Sequence, residues 1–103
     1  MEFLVHMEVK PIADEELAAR LLREEAARAR ALASDGVIRR LWRVPGRREN
    51  WGVWVAQNVD ELHTAIASLP LYPHLHVTIH SLCTHPNDPG LQLEKFLPIK
   101  EKG

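Results

Sequence analysis

Cysteine, glycine and charge of one sign are all scarce in this chain of 103 residues. Its single cysteine, Cys83, rules out an internal disulfide, and without a paired thiol it removes the CxxC redox and zinc-ribbon classes. The five glycines form no phosphate cradle, and no Ser elbow is present, so nucleotide binding and acyl hydrolysis are excluded. A net charge of −1, from 13 Lys or Arg against 14 Asp or Glu, lacks the basic excess that nucleic acid or a polybasic membrane anchor demands. Apolar stretches are broken by charge or proline within a few residues, far short of the roughly 20 residues of a membrane helix. Met1–His6 carries no basic leader pattern, and with the lone thiol this sets the expectation of a reducing cytoplasm.

What is present is 46% apolar and 26% charged, the profile of one globular domain. A chain this short leaves apolar surface uncovered unless a partner subunit covers it, so a homo-oligomer is expected.

Residues 2–10 alternate, with Phe3, Val5, Met7 and Val9 on one face, which predicts a half-buried strand. Asp14 is the expected N-cap of a helix over 14–35 that ends at Gly36. Residues 37–44 alternate again, placing Ile38, Arg40, Trp42 and Val44 on one face and Val37, Arg39, Leu41 and Arg43 on the other. Pro45-Gly46 marks a loop, Trp51–Ala56 a third strand, and 59–68 a second helix capped by Asn58. A fourth strand over 74–83 alternates Leu75, Val77, Ile79 and Ser81 against His74, His76, Thr78 and His80. The order β-α-β-β-α-β predicts an α+β ferredoxin-like sandwich: a four-stranded antiparallel sheet with two helices on one face. Residues 1–86 form the expected domain. Residues 87–103, with Leu91, Leu93, Phe96 and Leu97, read as an extended arm that packs on a neighbouring subunit or frays.

One residue of the first helix conflicts with its surroundings. On a helical wheel with Leu17 at zero, Leu21, Leu32, Ala18, Ala29 and Leu22 span about 0° to 140°, and Glu25 falls at about 80°, inside the apolar stripe. A helix that packs by this stripe carries Glu25 toward the sheet, where burial raises its pKa into the range of a general base. A structural ion pair with an Arg of the second strand is the other reading. That strand offers Arg39, Arg40 and Arg43, whose planar forks suit an anionic ligand, and Trp42; periodicity leaves open which Arg faces the helices. His6, His76 and His80 share the helix-free face, where they allow either a metal cluster or a subunit contact. Cys83 reads as a small buried residue at a strand end.

Leu41-Trp42-Arg43 followed by Gly46 and Asn50, then Leu69-Pro70-Leu71-Tyr72-Pro73, then Leu82-Cys83-Thr84-His85-Pro86, resembles the muconolactone Δ-isomerase family of aromatic catabolism by the 3-oxoadipate pathway. The three motifs run in order, and the likeness extends from the first strand to about residue 86. It implies dimers joined through the sheet in a dimeric barrel-type assembly, built further into a homodecamer, with an active site between subunits that needs no cofactor and no metal. It also implies a small lactone substrate bearing an acetate side chain, and a 1,3 proton shift that moves the ring double bond to give the enol-lactone. The family's carboxylate base aligns with Glu25. Arg39, Arg43 and Asn50 are the expected donors to the carbonyl oxygen or the acetate, and Trp42, Trp54 and Tyr72 the expected apolar walls. The chain departs from the family pattern at Leu22, where a Lys stands one turn before the Glu, and at His76 and His80, which replace acidic residues. These departures leave a substituted-lactone isomerase or a dehalogenase of the same family as alternatives. From other classes, a small cofactor-free oxygenase of the dimeric α/β barrel type and a non-catalytic ligand-binding module share the same fold.

Overall fold

In the computed structural model, which describes residues 1–91, six elements follow in the order expected. They are β1 (Glu2–Val9), α1 (Glu15–Ser34), β2 (Ile38–Arg43), β3 (Glu49–Val55), α2 (Val59–Ala67) and β4 (Leu75–Leu82). The strands form one antiparallel sheet in the order β2-β3-β1-β4, the ferredoxin-like arrangement. Its ends are set locally. Asp14 accepts the Leu17 N–H at 3.0 Å and Asn58 accepts the Glu61 N–H at 2.8 Å, so both helices start at the side chains that can satisfy their free donors. After α1 the chain turns at Gly36, whose φ of 80° is open to glycine and strained for other residues.

The core lies between the sheet and the helices. Phe3, Val5 and Met7 of β1 project toward α2's Leu62 and Ile66 and toward Leu32 of α1, with Ile38, Trp54, Leu69, Leu71 and Leu75 completing the cluster. Alternation along β1 therefore determines which face of the sheet is covered. The opposite face carries His6, Trp51, Trp42 and His80, and neither α1 nor α2 packs on it.

Strand β2 departs from simple alternation. Ile38 pairs with Trp54, but Arg40 pairs with Val53, so Arg39 is an extra residue in a β-bulge. The expected faces are corrected beyond that point. Leu41 pairs with Gly52 and Arg43 with Asn50, both on the helix-covered face, whereas Arg40 and Trp42 lie on the open one, the Arg40 guanidinium 4.8 Å above the Trp42 ring. Strand β3 also starts two residues earlier than the aromatic run suggested, at Glu49, because Val44 and Glu49 pair across the loop.

A 3-10 turn, Tyr72–His74, precedes β4. Cys83, expected to be buried, is exposed just past the end of β4, where the sheet no longer covers it. Of the segment expected to form the extended arm, residues 89–91 are helical, following Asp88, whose side chain accepts the Gly90 N–H, and 92–103 lie outside the described residues. No helix among the described residues is long and apolar enough to cross a membrane.

Candidate active site

A cavity of about 520 Å³ opens between the N-terminal half of α1 and the end of the sheet formed by β1, β2 and β3. Ala18, Leu22 and Glu25 of α1 form one wall, Met7 and Val9 of β1 the floor, and Leu71 and Leu75 close the far side. Leu41, Trp42 and Arg43 of β2, with Arg48 and Asn50 beyond the hairpin, form the remaining wall. The bulge at Arg39 produces this wall, since it turns Leu41 and Arg43 to the side of α1.

Glu25 is half-buried and accepts the Leu71 N–H at 3.0 Å. No Lys, Arg or His lies within ion-pair distance of it among the described residues. Burial pushes its carboxyl above the usual carboxylate range, while the Leu71 N–H, which favours the ionised form, pulls in the opposite direction. The expected alternative of an ion pair with an Arg of the second strand is thus absent. Arg43 and Arg48 likewise have no carboxylate partner among the described residues, so their guanidinium forks are available to an anion in the cavity.

Glu25, Arg43, Asn50 and Trp42 are therefore gathered at one cavity. Trp42 contributes at the exposed β2 edge, although its register opposite Trp51 puts it on the open face. Arg39, Trp54 and Tyr72 are not brought there. Arg39 is the exposed bulge residue; Trp54 is 1% exposed within the core; Tyr72 packs on the core with its ring edge-on to His63. On the open face His6 Nε2 lies 2.8 Å from Glu49 Oε1, its ring 4.6 Å from that of Trp51, which in turn stacks on His80 at 6.3 Å. Among the described residues no group of three His, Cys, Asp or Glu side chains is placed to hold a metal ion.

A family model described as muconolactone delta-isomerase matches residues 1–88. The chain belongs to the muconolactone delta-isomerase family. It is 38% identical to the Muconolactone Delta-isomerase of Pseudomonas aeruginosa over 89 residues, covering 84% of this chain and 93% of that one. It is 40% identical to Muconolactone Delta-isomerase 2 of Acinetobacter lwoffii over 72 residues, 70% of this chain and 75% of that one. The crystal structure of a muconolactone isomerase superposes with a TM-score of 0.80 at 36% identity, covering 85% of this chain and 94% of that one.

Within this muconolactone delta-isomerase fold, sequence reasoning missed Arg48, Leu41 and Leu71 as neighbours of Glu25. Arg48 stood in a run of loop charges with no periodicity to aim it. The signal for Leu71 is its place between Pro70 and Pro73, in a turn with few N–H groups, where its own buried N–H requires a partner.

Proposed function

We propose that this chain is a muconolactone Δ-isomerase, an intramolecular isomerase in which Glu25 moves one proton from the γ-carbon of the lactone to the carbon α to its carbonyl. The observation that carries this reading is a half-buried carboxylate with no cation beside it among the described residues, facing a cavity whose opposite wall bears an amide and two guanidinium groups that pair with no carboxylate among those residues.

The chemistry follows from charge. Glu25 as the carboxylate removes the γ-proton, which is acidified through the conjugated carbonyl, and the electron pair passes through the ring onto the carbonyl oxygen as a dienolate. Collapse of that charge takes the proton back from the Glu25 carboxylic acid at the α-carbon. The double bond has then moved to the β,γ position, Glu25 is ionised again, and no electron or atom has been gained or lost. A carboxylate whose proton affinity is raised by burial is a stronger base, and the lactone's weakly acidic carbon requires one. The developing oxyanion requires a donor, a role assigned to the Asn50 amide or one guanidinium, and the acetate side chain requires a cation, a role assigned to Arg43 or Arg48. Leu41, Leu22 and Trp42 supply apolar wall. The reading includes no cofactor or metal, a cytoplasmic location, and a homo-oligomer built from dimers joined through the helix-free face, up to a decamer.

Incubation of the purified protein with muconolactone, followed by proton NMR, tests the reading. It predicts enol-lactone formation that EDTA leaves unchanged. A folded protein that converts neither muconolactone nor its chloro and methyl derivatives would refute it.

A further inference from the structure

Arg28, half-buried on α1 three residues beyond Glu25, makes no ion pair among the described residues. Its Nε instead donates to Ser68 Oγ at 2.9 Å, and the Ser68 hydroxyl donates onward to the Ala65 carbonyl at 2.6 Å. Ser68 is the C-cap of α2 and begins the turn that leads to β4. In that turn Pro70 and Pro73 have no N–H, and the remaining donors are spent on the backbone: Leu69 on Ile66, Tyr72 on Leu69, His74 on Leu71. The exception is the Leu71 N–H, which goes to Glu25 Oε1. Two side chains of α1, one turn apart, thus hold one turn of chain at both ends.

We propose that Arg28 is a positioning residue for Glu25: by gripping Ser68 it fixes the 68–71 turn against α1, and so fixes the N–H that holds one oxygen of the carboxylate and leaves the other for substrate. Glu has three freely turning side-chain bonds, and a single anchoring hydrogen bond restricts them only as well as its donor is itself held. A base displaced by a fraction of an ångström from its near-attack geometry loses rate without losing affinity. The inference rests on the reading of Glu25 as the proton shuttle, and its test separates the two.

Ser68→Ala removes the acceptor and changes no charge; the other charged groups at the cavity, Arg43, Arg48 and Glu49, are untouched, as is Arg28 itself. The expected result is a kcat lower by roughly tenfold with KM within about twofold. The acid limb of the kcat profile moves to higher pH, because the N–H that favours the ionised form is no longer held in place. Ser68→Thr, which keeps the hydroxyl, restores both. Arg28→Gln acts in the same direction, and the double variant is no worse than the poorer single one, since both break one link. In the free protein, NMR is expected to show faster exchange of the Leu71 amide and an upward shift of the Glu25 carboxyl titration in Ser68→Ala. Wild-type exchange, titration and kcat in Ser68→Ala, or additive effects in the double variant, would overturn the proposal. Should Ser68→Ala fail to fold, Arg28→Gln gives the same readouts. Should wild type not turn over the lactone, the functional reading falls, and the Leu71 exchange and Glu25 titration still decide the link.

Discussion

Glu25 is held in a state that costs the fold something. Its folded-state pKa is raised by burial, so the protein gains from its protonated form at low pH and loses that gain as pH rises through the raised value. Glu25→Gln keeps an oxygen for the Leu71 N–H and removes the ionisation, and we expect its Tm to exceed that of wild type at pH 8, with the difference shrinking toward pH 4. A Tm difference that grew toward acid pH would contradict the direction of the shift. On the opposite wall, Arg43→Ala and Arg48→Ala each remove a candidate partner of the acetate. The variant that loses the acetate contact is expected to raise KM for muconolactone about tenfold or more, with a smaller change in kcat, as steady-state kinetics would show. Glu25 was legible in the sequence because a 3.6-residue period places it among Leu21, Ala29 and Leu32, where a carboxylate stands out. Arg48 was not, since a loop has no period.

At the level of elements, the decisive feature is the bulge in β2. A single extra residue at Arg39 inverts the facing of everything after it, so Leu41 and Arg43 turn toward α1 and the cavity while Arg40 and Trp42 turn to the open face, Trp42 meeting the cavity only at the strand edge. Alternation alone yields the opposite assignment for Ile38 relative to Leu41 and Arg43, because bulges leave no mark in a binary pattern. Gly52 was the available clue, an isolated glycine inside an aromatic strand. A Cβ there would stand 2.7 Å from Leu41 Cδ2 and 3.0 Å from both the Arg40 carbonyl oxygen and Trp54 Nε1. Gly52→Ala is expected to destabilise the fold by about 1–3 kcal/mol in urea unfolding, and to disturb the Leu41 wall enough to raise KM. Unchanged unfolding would mean that the β2–β3 pair adapts freely. The helix termini, by contrast, followed directly from Asp14, Gly36 and Asn58, whose chemistry is local and needs no knowledge of tertiary packing.

For the whole molecule, the β-α-β-β-α-β order and the one-sided alternation of β1 together made the sandwich readable, since a sheet with one apolar face can bury it only under the two helices. The same logic leaves His6, Trp51, Trp42 and His80 on a face that neither α1 nor α2 covers, and leaves Leu22 and Leu41 57% and 49% exposed at the mouth of the cavity. Assembly through the open face is the proposed use of the first group. Sedimentation at micromolar concentration is expected to give a multiple of the chain mass, and a monomer with full turnover would contradict an active site that depends on assembly. The histidines were ambiguous in the sequence because strand spacing alone does not distinguish ligands from contact residues; His6 turned out to pair with Glu49 and His80 to stack on Trp51.

In the proposed reaction a single carboxylate, Glu25, carries the proton between two carbons of the lactone. Its most direct test is kcat for muconolactone with Glu25→Gln beside wild type, at equal protein concentration and with both shown to be folded. The expected loss is roughly 10²- to 10⁴-fold, the range that a positioned base contributes. A Glu25→Gln protein that kept activity within a few-fold of wild type would contradict it.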